Sequence, residues 1–168
     1  MKFKTFLAGC LGGLLSLNSC TNSPDMTDYA AYVNPFIGTG GHGHTFPGAI
    51  VPHGMISPSP DTRIDEWDAC SGYYYADSTI NGFSHTHLSG TGCCDYGDVL
   101  LMPTVGEQKY LPTGSQSQQM AYASAFSHQN ETAEPGYYSV FLDTYQVKAE
   151  LTASKRAAIH RYTFPESK

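Results

Sequence analysis

The chain has 168 residues, with nine Lys and Arg against fifteen Asp and Glu and a formal net charge of −6. That balance argues against a nucleic-acid partner, whose affinity comes from basic side chains neutralising phosphates. Charged residues make up 14% of the chain, below the roughly 25% of ordinary globular proteins. Gly, Ser, Thr and Tyr fill the deficit, a composition suited to hydrogen-bonding neutral, hydroxyl-rich ligands.

The amino terminus reads as a targeting segment. Lys2 and Lys4 form a basic start, and Phe6 to Leu17 is an apolar run interrupted only by Gly, Cys and Ser. That length suits a signal-peptide core and is too short to cross a bilayer comfortably. It ends Leu17-Asn18-Ser19-Cys20, similar to a bacterial lipobox with Asn18 as the departure. Residues 1–20 are therefore expected to be a lipoprotein signal peptide with Cys20 as the lipid-attachment residue. The alternative is an ordinary secretory signal with an incidental cysteine. Several acyl chains on one cysteine would anchor the chain firmly, each buried methylene adding about 0.8 kcal/mol. The expected address is the periplasm, the outer membrane or the cell surface. Residues 21–30 follow as a polar tether and 31–168 as one domain. Three cysteines remain, Cys70, Cys93 and Cys94. In an exported protein Cys70 with Cys93 or Cys94 is the sensible disulfide, since adjacent cysteines bond only with strain; one thiol is left over.

Between residues 34 and 61 Gly and Pro recur too often for more than one helical turn. The Gly- and His-rich character continues to about residue 101, the composition of surface loops that carry binding groups. Gly72 to Ala76 is aromatic-rich and Val99 to Met102 is a short apolar run stopped by Pro103, both strand signals. Residues 112–136 are polar apart from Ala121 to Phe126, which alternates at period two. Pro135-Gly136 is a turn, and Tyr137 to Leu142 follows as a strand. Val147, Ala149 and Leu151 alternate with Lys148 and Glu150, the pattern of a half-buried strand. Thr152 to Arg156 reads as a hairpin loop, with a return strand through Ala157 to Phe164. The result is an all-β class, an antiparallel β-sandwich. Its last strand runs almost to Lys168, and an edge of that kind needs further strands to cover it, so the domain is expected to be incomplete.

Several residue sets could carry chemistry. His42/His44 and His85/His87 are two His-x-His pairs; on a strand, side chains two apart face the same way and could chelate zinc. The competing and preferred reading is histidines that shape a polar pocket. Gly38 to Gly43 matches G-x-G-x-x-G, but that motif needs a following helix to face a pyrophosphate. Thr45-Phe46-Pro47-Gly48 follows instead, favouring a tight loop whose amides approach a ligand hydroxyl. Trp67 stands among Asp65, Glu66 and Asp68, which places it near solvent, where an aromatic face can stack on a sugar ring. Asp61, Asp65, Glu66, Asp68, Asp95 and Asp98 supply carboxylates of the kind glycoside hydrolysis uses, although loop-capping is their ordinary role. Ser57, Ser71 and Ser89 could each be set beside a histidine, but none lies in G-x-S-x-G. Asn130-Glu131-Thr132 is a glycosylation sequon, incidental beside a bacterial-type signal.

The runs NPFIGTGGHGHTFPGAIVPHGMISPSPDT, SGYYY, INGFSHTHLSGTGC and DYGDVLLMP closely resemble the amino-terminal part of glycoside hydrolase family ninety-two, over residues 30 to 166. Members are calcium-dependent, inverting exo-α-mannosidases of bacteria. The resemblance implies a β-sandwich followed by an (α/α)6 barrel in a chain several hundred residues longer, so that this one is truncated and inactive alone. It implies that the catalytic acid, the base and the Ca2+ ligands belong to the helical domain, with no catalytic or metal-binding residue here. The present residues would form one wall of a cleft for terminal mannose, with an α-1,2 preference. Gly40, Gly41, His42, Asp61, Trp67 and His87 would be its substrate-binding residues. Trp67 is the best match to a tryptophan that members bring into the cleft. The alternative is a stand-alone surface carbohydrate-binding lipoprotein without catalysis. Expected partners are mannose-containing glycans, a membrane through the lipid, and the missing carboxy-terminal domain.

Overall fold

Alternating apolar side chains near the carboxyl end build the sheet on which the loops rest. The computed structural model describes residues 27–109 and 119–166; the expected signal peptide, Cys20 and most of the tether lie outside them. The described strands are β1 Ser59–Asp61, β2 Thr79–Ile80, β3 Gly82–Ser84, β4 Ser124–Ala125, β5 Glu131–Glu134, β6 Tyr137–Leu142, β7 Val147–Ala153 and β8 Ala158–Thr163. All pairings are antiparallel: β5-β6-β7-β8 as a four-stranded meander, and β1-β3 and β2-β4 as two short pairs. Helical structure among the described residues is limited to three short 3-10 turns. The fold is an all-β sandwich.

Register explains the core. Tyr138 faces Leu151, Val140 faces Ala149 and Leu142 faces Val147, and all six are essentially inaccessible. Each of the larger ones contributes about 1.5–3 kcal/mol through burial. Phe83 of β3 covers this face, its ring 6.5 Å from Tyr138 and 6.3 Å from Tyr162. Ala49, Tyr73, Ile80 and Phe126 complete the cluster. The loop layer is thus pinned to the sheet by a few aromatic rings.

Two carboxylates organise the sheet. Glu131, buried at the start of β5, accepts from the hydroxyls of Tyr73 (3.0 Å) and Tyr138 (2.6 Å) and pairs with His128 Nδ1 at 2.6 Å. Burial, then the Glu131 charge, pushes both phenols well above their usual value. On the outer face, the Arg161 guanidinium donates to Glu150 at 2.7 and 2.6 Å. With help from Tyr137, it holds that carboxyl down at about 2.

The strands from Tyr137 onward match the periodicity. Elsewhere the structure corrects it. Gly72 to Ala76 is irregular, because its rings project to different partners rather than to one face. Of Val99 to Met102 only Leu101 bridges, to Phe83. The alternation at 121–126 yields two strand residues, and β5 lies inside the segment read as polar.

Candidate functional site

The loop from Gly38 to Thr45 closes on itself through bonds from Thr45 to the carbonyls of Gly38 (3.3 Å) and Ile37 (3.0 Å). It presents Gly41 to open space and His42 to solvent. Gly40 lies on the other side, on a shallow depression with Asn34, Phe36 and Tyr75. No helix follows this loop, so it lacks the geometry of a dinucleotide site.

Trp67 opens the 3-10 turn Trp67–Ala69 and is 55% exposed. His44 meets it edge-on, centroids 4.5 Å apart at 90°, and His42 at 5.2 Å. His42 Nδ1 lies 2.5 Å from Asp68 Oδ1. A Cβ on Gly92 would stand 2.7 Å from the indole Nε1, so a side chain there would push the indole aside. Of the expected binding residues, the structure brings Gly41, His42 and Trp67 into one place.

Asp61 and His87 form a second place, paired with each other. His87 Nδ1 donates to the Ser57 carbonyl (2.7 Å), while Nε2 sits 3.0 Å from Asp61 Oδ1 and 2.9 Å from Ser84 Oγ. The other Asp61 oxygen accepts from Ser84 N at 2.9 Å. Both side chains are buried. Gly72 makes the pairing possible, since a Cβ there would lie 2.2 Å from Asp61 Oδ1. This Asp–His–Ser set is not a nucleophilic triad. Acid and serine share one ring nitrogen, and Ser84 is inaccessible; a triad orients the base from its other nitrogen. The pair borders a pocket of about 150 Å3 with Arg63, Cys70, Cys94 and Tyr96. Cys70 follows the turn that Trp67 opens, so the two places are neighbours.

The remaining candidates have other employment. His85 donates through Nδ1 to the Val99 carbonyl (2.8 Å) and stacks on His160 at 4.7 Å. It does not share a ligand with His87, because β3 ends at Ser84 and the two-residue period lapses there. Among the described residues no three His, Cys, Asp or Glu side chains converge as a metal site. Ser71 Oγ donates between the carbonyls of His44 (2.7 Å) and Leu88 (2.8 Å), a pin rather than a nucleophile. Ser57 Oγ accepts from His87 N. Glu66 pairs with Arg63 and Asp98 accepts from Thr86. The three cysteines are free thiols: Cys70 donates to the Thr91 carbonyl and Cys94 to that of Glu66. Burial pushes the Cys94 thiol up. The disulfide expected at Cys70 is thus not formed.

Sequence reasoning missed Arg63. Its guanidinium grips Asp77 by bonds of 2.7–3.1 Å, pairs with Glu66, and lies 4.2 Å over the Tyr74 ring. The Asp77 carboxylate raises it above the usual arginine value. Fourteen residues separate Arg63 from Asp77, and no local spacing rule connects them.

A family model for the glycosyl hydrolase family 92 N-terminal domain matches residues 32–168. The chain is 49% identical to a family GH92 α-mannosidase of Bacteroides thetaiotaomicron solved with mannoimidazole, over 82% of its own length, with TM-score 0.77. It is 32% identical, over 86% of its length and with TM-score 0.65, to a family GH92 inverting mannosidase of the same organism. A protein of Arthroderma benhamiae described as an uncharacterized secreted glycosidase is 31% identical over 141 residues, 83% of this chain. The chain spans only 18 or 19% of these relatives' lengths.

Proposed function

The chain belongs to glycosyl hydrolase family 92, as its N-terminal domain, and from that premise we propose that it supplies one wall of the sugar cleft of an inverting exo-α-mannosidase. The single observation that carries this reading is Trp67. Its indole is 55% exposed, in a chain 49% identical to an α-mannosidase solved with mannoimidazole. An indole face suits the apolar side of a pyranose. Gly41 and His42 beside it offer an amide and an imidazole to the hydroxyls. Asp61 and His87 support the wall from beneath, through the pocket behind the Trp67 turn.

An inverting glycosidase needs an acid to protonate the leaving oxygen and a carboxylate to activate water, about 6.5–9.5 Å apart. Here Asp61, Glu66, Asp68, Asp77, Asp98, Glu131 and Glu150 all hold internal partners. That supports placing the acid, the base and the Ca2+ in polypeptide beyond this domain. Calcium would bind mannose hydroxyls through its oxygen-rich shell. The preference for α-1,2 linkages, export by the amino-terminal segment and lipid attachment at Cys20 belong to the same proposal; one relative being described as secreted supports export.

Calorimetry with mannose and α-mannobiose tests the reading: the isolated chain should bind feebly, whereas in a full-length enzyme carrying this domain Trp67→Ala should weaken binding about tenfold, the scale on which a central aromatic anchor acts. The chain alone should release no mannose from an α-mannoside with or without calcium. Binding indifferent to Trp67, or calcium-dependent hydrolysis by the chain itself, would refute it.

A further inference from the structure

Trp67 is the one tryptophan of the chain, and with more than half its surface exposed the core does little to fix its ring. A ligand stacking on a loose indole must freeze its side-chain torsions, and preorganisation removes that loss. We propose that His42 and His44 are the positioning residues of this indole, a two-imidazole clamp that sets its angle before a sugar arrives. This rests on the reading of Trp67 as the sugar-facing platform.

Each half of the clamp is visible in the geometry. His44 packs edge-on against the indole, 4.5 Å between centroids at 90°, an arrangement that aromatic pairs favour. Its Nε2 is buried and has no hydrogen-bond partner, although buried imidazole nitrogens ordinarily find one. The indole is the ring against which this imidazole packs. The backbone is committed to the same end. His44 adopts φ 52, a conformation non-glycine residues hold only when their surroundings impose it. The imposing groups are Ser71 Oγ and Gly90 N, each bonded to the His44 carbonyl at 2.7 Å.

His42 closes the exposed side. Its ring stands 5.2 Å from the indole at 55°, and Nδ1 is tied at 2.5 Å to Asp68 Oδ1. Asp68 is the residue after Trp67, so the bond ties the loop to the turn that carries the indole. Gly92 blocks the Nε1 edge. The spacing that reads in sequence as a chelating His-x-His pair therefore sets both rings against one indole.

The sole tryptophan makes the test direct. Fluorescence anisotropy and acrylamide quenching of the 168-residue chain would be measured for wild type, His42→Ala, His42→Phe and His44→Asn, with circular dichroism to confirm folding. His42 is largely solvent-facing, so its variants keep the fold even if His44→Asn does not; asparagine tolerates the left-handed backbone. His42→Ala and His44→Asn should lose anisotropy and gain acrylamide access, His42→Phe should restore part of both, and Asp68→Ala should mimic His42→Ala. Wild-type anisotropy and quenching in both His42→Ala and Asp68→Ala would overturn the clamp. Mannobiose binding that ignores Trp67→Ala, alongside a loosened indole in His42→Ala, would refute the platform reading and leave the clamp standing.

Discussion

Acidification should weaken the attachment of the loop layer to the sheet at His160. This imidazole lies on the inner face of β8, with Nδ1 2.7 Å from the Tyr162 hydroxyl and Nε2 buried without a partner. Its ring stacks on His85 at 4.7 Å, and His85 is held by the Val99 carbonyl. Burial, and then repulsion from His85, lowers His160 from 6.5 to about 4. The unfolded chain thus binds a proton the folded one refuses in that window. The stability contributed by the neutral ring is complete above about pH 6.5 and is lost as pH falls toward 4. At full burial the shift would correspond to about 3 kcal/mol. Solvent reaching a half-buried ring screens much of it, leaving about 1–2 kcal/mol. Urea denaturation at pH 7, 5.5 and 4.5 of wild type and His160→Gln measures the difference, since all carboxylates are common to both. Equal losses of stability in the two proteins would refute the assignment.

Two further predictions test the frame. Glu131→Gln removes the charge to which Tyr73, Tyr138 and His128 bond and sets an amide N–H2 against their donors. It should cost about 2–4 kcal/mol, since bonds to a buried charge carry ~1.5–3 kcal/mol each; a variant with an unchanged denaturation midpoint would contradict that network. Val99 is β-branched, 68% exposed and held at φ 58, a conformation costing about 1–2 kcal/mol for an L-residue. Val99→Gly should therefore raise the melting temperature despite glycine's unfolded-state entropy, and Val99→Ala should not. A lower melting temperature for the glycine variant would show that the valine side chain is needed there.

How much was legible differs along the chain. Tyr137 to Thr163 is nearly transparent, because each strand's neighbour follows after a short turn, and period-two burial is a local pattern. Gly72 to Ala76 misled because aromatic richness suggests a strand, whereas Tyr73 bonds Glu131, Tyr74 lies under Arg63 and Tyr75 stacks on His128. Trp67's exposure was readable from its acidic flanks. The placement of His44 against it was not, since it depends on a left-handed backbone imposed by residues 27 and 46 positions away.

Taken alone, the residue order determined the all-β class, the carboxy-terminal meander and the family, because alternation, turn chemistry and long motif runs are properties of neighbouring residues. Only the folded chain decided that Asp61 and His87 bond to each other beneath the surface, that three cysteines stay apart as thiols, and that two histidines converge on one indole. Those outcomes depend on contacts between segments distant in sequence, and no local spacing encodes a distance across a packed interior.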